Sequence, residues 1–466
     1  MTTLIKYNPI MMTDSYKYSH IFQYPNRKGF VSSYIESRGG EFDATVFYGL
    51  QILLKDLEAN PITHEMVDEA KELITEHGEP FDEEGWRLIV DRHGGKLPLR
   101  IQAVPEGQVV PTKNILVQVI NTDEDFPWLP SFMETVILRA VWYPTTVATL
   151  SYEVKKIIKN NLDETANIEG LMFKLHDFGA RGASSEETAA IGGSAHLVNF
   201  MGTDTATALR VPRAYYGEKG AVGFSIPAAE HSTATSWGKD REVEFARHML
   251  NAFNTPVIAV VSDSYDIFNM VENVWCGELL DEVKASGKTI VIRPDSGEPV
   301  ETLRKIFRIL ERCLGDEVTL NEQGYKILPS YYRVIQGDGI NINSIRAILN
   351  MLKEEGWTGD NIAFGMGGKL LQGVDRDTQK FAMKASAGKY GDDDWIDIFK
   401  SPITDKGKVS KKGRMALIYD GEDQLITVPE KNTNDDSNLL KDVFIDGIVT
   451  KEYTFTEVRE RAARGW

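Results

Sequence analysis

Charged side chains, glycine and proline follow directly after a short apolar run at residues 289–297. The run, Thr-Ile-Val-Ile, is rich in β-branched residues and is typical of a strand buried on both faces. Arg293, Pro294 and Asp295 come next, ahead of a segment with helical spacing of apolar residues. The C-terminal end of a buried strand is where α/β enzymes place their reacting groups. A single strand with a charged end is weak evidence for a functional site, so the question is whether the pattern recurs along the chain.

The pattern does recur, at a spacing of roughly thirty residues, which is the size of a βα unit. The apolar runs cover residues 171–175, 197–201, 222–226, 257–261, 289–292, 332–335 and 362–364. Repeated alternation of this kind predicts parallel strands joined by helices. The predicted fold class is therefore α/β, with a barrel-like core of about seven parallel strands.

The chain on either side of this repeat predicts a second, discontinuous α+β domain that contains antiparallel strands. Asp-Gly pairs at residues 420–421 and 446–447 indicate hairpins. Residues 128–159 have helical spacing, which Pro144 predicts to break into two helices. The barrel-like catalytic core is assigned to residues 165–375, joined by part of 8–30 and 128–145. The α+β domain is assigned to residues 30–127, 146–164 and 376–466.

Composition excludes several classes of protein. A chain of 466 residues favours two domains. Its net charge of −17 argues against nucleic-acid binding, which needs a basic face. Two cysteines, Cys276 and Cys313, are too few for a disulfide framework and fit a reducing compartment. Without a signal peptide or a long apolar run, we expect a cytoplasmic protein that makes no membrane contact.

If the repeats form one barrel, nine charged side chains surround a single mouth. Any one of the acidic residues is equally well explained as the cap of the following helix. Nine side chains at one mouth are harder to explain in this way, so we interpret them as a binding site. They are Asp177, Arg181, Asp204, Glu230, His231, Asp263, Arg293, Asp295 and Asp338.

The chemistry of this mouth favours a phosphorylated small molecule and Mg²⁺. Only His176 and His231 follow strands, too few for a histidine-based zinc site, and His176 is equally compatible with the core. Carboxylates suit Mg²⁺, which usually arrives with phosphates. Arg181 and Arg293 can bind phosphate in bidentate fashion. His231 is a candidate nucleophile or acid/base.

Three further features bear on this site. The turn Gly-Met-Gly-Gly at residues 365–368 offers backbone N–H groups to an anion. Phe178 lies among polar residues, so its ring either stacks on a ligand or folds inward. The basic segment 400–414 is either a solvated loop or a loop that faces phosphate. The sequence contains neither a P-loop nor a dinucleotide-binding motif.

The motifs together resemble those of the nicotinamide phosphoribosyltransferase family, which are type II phosphoribosyltransferases. The resemblance runs in order from about residue 8 to residue 460. It is carried by Asp-Ser-Tyr-Lys at 14–17, Thr-Val-Phe-Tyr-Gly-Leu-Gln at 45–51, His-Asp-Phe-Gly at 176–179, Gly-Thr-Asp-Thr at 202–205, Pro-Ala-Ala-Glu-His-Ser at 227–232, Val-Ser-Asp-Ser-Tyr-Asp at 261–266, Val-Ile-Arg-Pro-Asp-Ser-Gly at 291–297 and Val-Ile-Gln-Gly-Asp-Gly at 334–339.

The resemblance implies transfer of a phosphoribosyl group from 5-phosphoribosyl 1-diphosphate to nicotinamide, giving nicotinamide mononucleotide and diphosphate. It further implies Mg²⁺ bound mainly through diphosphate and water, optional coupling to ATP, and a homodimer with active sites at the interface. Phe178 and Tyr16 of the partner subunit would sandwich the pyridine ring, and Asp204 would accept a hydrogen bond from the carboxamide. His231 would be phosphorylated from ATP, oriented by Asp263 and Glu230.

The remaining implied contacts are to ribose and phosphates. Arg181 would bind the diphosphate. The residues implied to hold the ribose and its 5-phosphate are Arg293, Pro294, Asp295, Gly337, Asp338, Gly367 and Gly368. Arg376, Lys384 and Lys408 would reach the phosphates from the partner chain.

Two alternatives to nicotinamide phosphoribosyltransferase activity stay open. One is a nicotinate or quinolinate phosphoribosyltransferase on the same fold, and the other is a non-catalytic binding protein. Asp204 argues against the first, because a carboxylate accepts from an amide and repels the carboxylate of nicotinate. The full set of His231, Asp263, Arg293 and Asp295 argues against the second.

Overall fold

The computed structural model describes residues 7–166, 169–404, 409–434 and 436–465. The chain divides into two compact units. The antiparallel unit comprises Met1–Thr149, Val211–Glu218 and Asp375–Trp466, and the barrel unit comprises Leu150–Arg210 and Lys219–Val374. Within the described residues, no helix is both long and apolar enough to cross a membrane.

The strands are β1 (Phe30–Ser37), β2 (Ala44–Val46), β3 (Leu99–Ala103), β4 (Val109–Pro111), β5 (Ile115–Asn121), β6 (Leu175–Asp177), β7 (Gly202–Thr203), β8 (Val257–Val261), β9 (Thr289–Arg293), β10 (Thr319–Leu320), β11 (Lys326–Ile327), β12 (Tyr332–Gln336), β13 (Ile362–Met366), β14 (Phe381–Lys389), β15 (Ile396–Asp397), β16 (Met415–Tyr419), β17 (Leu425–Pro429), β18 (Lys441–Ile445) and β19 (Ile448–Val449).

The α-helices are α1 (Lys17–His20), α2 (Leu50–Ala59), α3 (His64–His77), α4 (Glu83–His93), α5 (Leu129–Phe132), α6 (Glu134–Thr165), α7 (Glu186–His196), α8 (Arg210–Tyr215), α9 (His231–Thr235), α10 (Glu242–Ala252), α11 (Ile267–Asn269), α12 (Leu280–Ser286), α13 (Pro299–Leu314), α14 (Ile342–Glu354), α15 (Gly368–Leu371) and α16 (Phe455–Ala463). A π-helix covers Met270–Glu278.

The barrel unit contains a curved sheet of six parallel strands in the order β7-β6-β13-β12-β9-β8. The prediction of parallel βα units is confirmed, with six strands in place of about seven and with corrections at two of the predicted runs. Residues 197–199 form a turn, and the strand that follows this run is β7 at Gly202–Thr203. The run at 222–226 forms no strand and makes only isolated bridges, through Phe224 to β7 and Ala228 to β8. Pro227 has no N–H to donate, so a regular ladder cannot continue through this segment. The segment nevertheless links the two edge strands.

Small apolar side chains line the interior of this sheet. Ala259 on β8, Val291 on β9 and Ile335 on β12 form a buried cluster, against which Phe178 packs. The helices outside the sheet are amphipathic, as α13 shows. Glu298 caps its first turn by accepting from the backbone N–H groups of Val300 and Glu301, and its apolar face is buried.

The antiparallel unit contains a seven-stranded sheet in the order β15-β14-β1-β5-β3-β18-β19. The two Asp-Gly hairpin predictions are confirmed, since β16 pairs with β17 and β18 pairs with β19 in antiparallel register. Asp446 and Gly447 both have positive φ, of 50° and 80°, as the tight turn between β18 and β19 requires.

The predicted break at Pro144 is wrong, because α6 runs through it without interruption. Gly49, with φ of 102°, brings its backbone so close that a Cβ atom there would lie 2.3 Å from Pro144 Cγ. Thr145 Oγ1 accepts from the N–H of Tyr48 and donates to its C=O. Packing against residues 48–49 therefore compensates for the hydrogen bond that the proline ring removes.

The compact units also divide the chain at other residues than predicted. Residues 150–164 belong to the barrel unit, whereas 8–30, 128–145 and 211–218 belong to the antiparallel unit. One division falls inside α6, at Thr149, and a second after Arg210, the first residue of α8. Continuous helices carry no local signal for such a boundary.

Candidate functional site

Asp263 connects the ends of two neighbouring strands of the barrel unit. Its carboxylate is almost completely buried and lies two residues beyond β8. Oδ1 is 2.9 Å from His231 Nε2, and Oδ2 accepts from the backbone N–H of Asp295 at 3.0 Å and from Ser296 Oγ at 2.5 Å. Both oxygens of the carboxylate are therefore used to hold other residues of the site.

His231 opens helix α9, with Glu230 as the preceding cap residue. Thr233 Oγ1 accepts from the Glu230 N–H and donates to the Glu230 C=O, which fixes this helix start. The His231 ring lies between two carboxylates, since Nδ1 is 3.7 Å from Asp295 Oδ2. Its side chain is 42 % exposed, so the imidazole is held in place yet remains accessible.

Arg293 and Asp295 supply opposite charges at the end of β9. Their closest atoms, Arg293 Nη2 and Asp295 Oδ2, are 3.8 Å apart, so the pair is not closely hydrogen-bonded. Arg293 Nε is buried and has no hydrogen-bond partner among the described residues. Burial raises the pKa of Asp295, and the Arg293 charge opposes that rise. An anion would satisfy the unpaired donor.

Phe178 lies on the backbone of two neighbouring strand ends. A Cβ atom at Gly365 would be 2.0 Å from Phe178 Cε2, and one at Gly337 would be 3.3 Å from the same atom. Only glycine at position 365 leaves room for the ring. Phe178 packs against the core and is still partly exposed, so the inward packing is observed and the stacking on a ligand stays a prediction.

Asp177 does not belong to the group of accessible side chains. It is completely buried, and its Oδ1 accepts from the Gly179 N–H at 2.7 Å. Burial raises the pKa of Asp177 to about 6, with the Gly179 hydrogen bond acting against that rise. Asp177 therefore fixes the turn that carries Phe178, as the capping interpretation implies.

Asp204 is exposed at the end of β7, next to the end of β6. Its backbone N–H donates to the Asp177 C=O at 2.9 Å, and its Oδ1 accepts a hydrogen bond from Ser225 Oγ. Burial lowers the pKa of His176 from its ordinary value, and the Asp204 charge opposes that shift. His176 hydrogen-bonds the Phe173 C=O at 3.0 Å, which fits the core interpretation.

Arg181 and the glycine turn after β13 are neighbours. A Cβ at Gly182 would lie 2.9 Å from Gly368 Cα, so the two backbones approach closely. Arg181 is exposed at this junction, and Gly367 and Gly368 lie at the start of α15. Backbone N–H groups and a guanidinium at one place can bind an anion.

The remaining predicted residues lie in or beside these features. Pro294 is buried between Arg293 and Asp295, and Gly337 and Asp338 follow β12. The Gln336 side-chain amide donates to the Asp338 C=O at 3.0 Å. The barrel unit therefore holds all predicted residues from Phe178 to Gly368 at the C-terminal ends of its parallel strands, or in the linking segment.

The other predicted residues lie in the antiparallel unit. Tyr16 is 54 % exposed, and its ring makes an edge contact with His20. Arg376 is exposed and 3.2 Å from Asp377. Burial lowers the pKa of Lys384, which lies 3.7 Å from Glu134. Lys408 is outside the described residues. Their proposed contacts with substrate stay predictions.

Sequence reasoning missed Ser225, which holds Asp204. Ser225 lies in the run at 222–226 that was interpreted as a buried strand, so its hydroxyl carried no signal. Its exposure follows from the irregular backbone next to Pro227. The role of Ser225 is visible only in the folded structure, where its hydroxyl donates to Asp204, 21 positions earlier in the chain.

A parallel sheet with cationic, carboxylate and backbone N–H groups at its strand ends defines an enzyme that handles an anionic substrate. The profile of the Nicotinate phosphoribosyltransferase (NAPRTase) family matches residues 173–448. That of the Nicotinamide phosphoribosyltransferase N-terminal domain matches residues 8–101. The chain belongs to the nicotinate phosphoribosyltransferase family.

Relatives with similar sequences cover almost the whole chain. A protein from Xanthomonas campestris pv. campestris named nicotinamide phosphoribosyltransferase is 52% identical over 464 residues, covering 98% of each chain. A protein of the same name from Acinetobacter baylyi is 29% identical over 496 residues, covering 98% of this chain and 97% of its own.

Solved structures share the fold at low sequence identity. Nicotinate-nucleotide pyrophosphorylase from Pyrococcus furiosus has a TM-score of 0.64 at 15% identity, with 100% of this chain and 97% of its own covered. Human nicotinic acid phosphoribosyltransferase has a TM-score of 0.59 at 14% identity, with 97% and 93% covered. At this identity the likeness establishes the fold alone.

The buried Asp177 carboxyl predicts a specific pH dependence of stability. Because its pKa is raised from 3.8 to about 6 in the folded protein, folding becomes less favourable as pH rises through that window. The penalty above pH 6 approaches about 3 kcal/mol. Asp177→Asn keeps an oxygen for the Gly179 N–H and removes the charge.

The measurement is urea unfolding of both proteins between pH 4 and pH 7. The stability of Asp177→Asn relative to the unchanged chain should increase as pH rises and level off above pH 6. Asp393→Asn, at an exposed position outside the helices and strands, is the matched control for the loss of a carboxylate and should show a nearly constant difference. A constant difference for Asp177→Asn as well would contradict the prediction.

Proposed function

We propose that this enzyme transfers the 5-phosphoribosyl group from 5-phosphoribosyl 1-diphosphate to nicotinamide, as one step of NAD biosynthesis. The observation that carries the proposal is the 52% identity, over nearly the full length, to a relative named nicotinamide phosphoribosyltransferase. The site supports it, because the side chains of Arg181, Arg293 and Asp204 all follow C-terminal ends of strands in the barrel unit, where cations suit phosphates and an exposed carboxylate suits an amide.

The reaction replaces one bond at the anomeric carbon of ribose. The ring nitrogen of nicotinamide forms a bond to this carbon, and the carbon–oxygen bond to diphosphate breaks with its electron pair on the leaving group. Positive charge grows on the ribose, and negative charge grows on diphosphate. The carboxylates of Asp295 and Asp338 would stabilise the former, and the guanidinium groups of Arg293 and Arg181 the phosphates.

Magnesium fits this site as a companion of the diphosphate. Among the described residues no group of three or more His, Cys, Asp or Glu side chains is arranged to hold a metal ion. Asp263 already uses both oxygens for protein contacts. Asp295 would hold Mg²⁺ through water, and the bound ion would supply charge neutralisation of the diphosphate.

His231 is the candidate for coupling to ATP. Transfer of the γ-phosphoryl group of ATP to an imidazole nitrogen would release ADP and give a phosphohistidine. Asp263 orients the ring through Nε2, and Glu230 begins the same helix. The partial exposure of His231 leaves room for a nucleotide phosphate, whereas a purely structural histidine would not need it.

Asp204 is the proposed selector for the amide. Ser225 donates to Oδ1, which leaves Oδ2 to accept from the carboxamide NH₂ of nicotinamide. The same carboxylate repels the carboxylate of nicotinate, which disfavours the alternative substrate. Phe178 would support one face of the pyridine ring from its position on Gly365.

A homodimer would complete the site. Tyr16 and Arg376 are both exposed in the antiparallel unit, and the Tyr16 ring, which contacts His20 and Lys17, is 54 % exposed. Exposed aromatic and cationic groups of this kind suit a ligand held between subunits. In this arrangement Tyr16, Arg376, Lys384 and Lys408 would each act in the site of the opposite subunit.

The first test is the transfer reaction itself. Purified protein with nicotinamide, 5-phosphoribosyl 1-diphosphate and Mg²⁺ should form nicotinamide mononucleotide, measured by chromatography. ATP should increase the yield, and His231→Asn should lose that increase and the acid-labile phosphate on the protein. Absence of product with all components present would disprove the function, including the choice of enzyme over binding protein.

The second test addresses selectivity. Asp204→Asn should lower the ratio of kcat/KM for nicotinamide to kcat/KM for nicotinate by about tenfold or more, since a hydrogen bond to a charged group is lost. Asp338→Asn is the control, because that exposed carboxylate belongs to the ribose side and should leave the ratio unchanged. An unaltered ratio in Asp204→Asn would show that another group selects the amide.

The third test addresses the shared site. Tyr16→Ala and Asp295→Ala should each be nearly inactive alone. When the two are unfolded and refolded together, mixed dimers would contain one site with both wild-type residues, so activity should reappear at about a quarter of the normal level for random pairing. If activity does not return although mixed dimers form, Tyr16 does not act across the interface.

A further inference from the structure

The segment after β8 contains a π-helix of nine residues, Met270–Glu278. Runs of this type are rare, are mostly single turns and occur often at functional sites. Asp266 caps the short helix α11 before it by accepting from the N–H groups of Phe268 and Asn269. The π-helix is therefore anchored only a few residues beyond Asp263.

Trp275 is the sixth of the nine residues of the π-helix. Its side chain is completely buried. The indole Nε1–H donates to Ser262 Oγ at 3.1 Å, and the Trp275 C=O accepts from the Tyr332 hydroxyl at 2.5 Å. One residue thus contacts the end of β8 and the beginning of β12.

Ser262 connects Trp275 with the site. It directly precedes Asp263 and is 1% exposed. Its hydroxyl donates to the Val260 C=O at 2.9 Å, and its backbone N–H donates to the Arg293 C=O at 3.0 Å. The indole N–H is the third contact of Ser262, and it approaches from outside the sheet.

We propose that Trp275 is a positioning residue, which holds the Ser262–Asp263 segment against the end of β9 through its indole N–H. This inference rests on the proposed function. The two hydrogen bonds of Trp275 described above go to Ser262 and Tyr332, neither of which is proposed to contact substrate. Trp275 acts through Ser262 on Asp263, whose carboxylate orients His231 and receives the Asp295 N–H.

The geometry explains why the indole N–H matters beyond its packing. The Ser262 hydroxyl is buried, so loss of the indole donor leaves an acceptor lone pair without water to replace it. The Ser262 hydroxyl then keeps only its hydrogen bond to the Val260 C=O, so the residue before Asp263 is held less firmly. The Asp263 carboxylate makes three hydrogen bonds with fixed directions, so a small shift there is transmitted to His231 and Asp295.

The effect should be confined to substrates bound at β8 and β9. Nicotinamide is proposed to contact Phe178 and Asp204, and among the described residues neither side chain hydrogen-bonds to Ser262 or Asp263. Trp275→Phe should lower kcat/KM for 5-phosphoribosyl 1-diphosphate about three- to tenfold. KM for nicotinamide should change less than about twofold, because Asp263 hydrogen-bonds to His231, Asp295 and Ser296 and not to the residues proposed to contact nicotinamide.

The control is Trp357→Phe in the same unit. Trp357 is also buried, and it packs against Phe307 at a ring-centroid distance of 5.0 Å. Trp357→Phe therefore measures the effect of losing a buried indole that does not hydrogen-bond to Ser262. It should leave both kinetic constants near their normal values after correction for the folded fraction by circular dichroism.

Ser262→Ala gives an independent route to the same interaction. This change removes the hydroxyl that accepts from the indole N–H. Because Ser262→Ala and Trp275→Phe break the same hydrogen bond, the double variant should lose no more kcat/KM for 5-phosphoribosyl 1-diphosphate than either single variant. The proposal would be overturned if the losses of the two single variants added in the double variant, or if Trp357→Phe lost as much kcat/KM as Trp275→Phe. It would also be overturned if Trp275→Phe changed KM for nicotinamide as much as KM for 5-phosphoribosyl 1-diphosphate. If the unchanged protein forms no nicotinamide mononucleotide, the proposed function is wrong. If the unchanged protein is active and Trp275→Phe has the same kcat/KM for 5-phosphoribosyl 1-diphosphate, only the role of Trp275 is wrong.

Discussion

The Asp263 carboxylate is the contact on which the rest of the site depends. It is buried at the end of β8, and its two oxygens hold the His231 ring, the Asp295 backbone and the Ser296 hydroxyl. A buried carboxylate is costly unless it is well hydrogen-bonded. Here three hydrogen bonds offset the desolvation cost of the carboxylate. The same hydrogen bonds fix three residues from two other segments of the site.

A second constraint comes from backbone proximity. Phe178 can lie at the mouth of the barrel unit only because residue 365 lacks a side chain. The approach of Gly182 to Gly368 has the same origin and brings Arg181 near the glycine turn. The site therefore combines fixed charges on β8 and β9 with an apolar surface on β6 and β13. This division suits a reaction that joins an anionic sugar to an aromatic ring.

Much of the parallel core could be predicted from the sequence, because β8, β9 and β12 lie in short runs rich in β-branched residues that are followed by polar residues. The strands β6 and β7, with the sequences Leu-His-Asp and Gly-Thr, carry no such run. Local pattern does not reveal how a segment pairs, and this explains the exceptions. Residues 222–226 have the composition of a strand but meet Pro227, which stops the ladder. Pro144 has the signal of a helix break, yet packing against Gly49 keeps α6 continuous.

The sequence by itself determined which chemical groups follow each strand, and hence Arg293, Asp295, His231 and Asp263 as candidates. These assignments needed only residue type and order, which are local properties of the chain. Tertiary structure decided which groups face inward and which face solvent. Asp177 turns into the core to hold Gly179, whereas Asp204 stays exposed on Ser225. The contact of Asp177 with Gly179 is local, but its burial and the pairing of Asp204 with Ser225 depend on packing between distant segments, which no local pattern encodes.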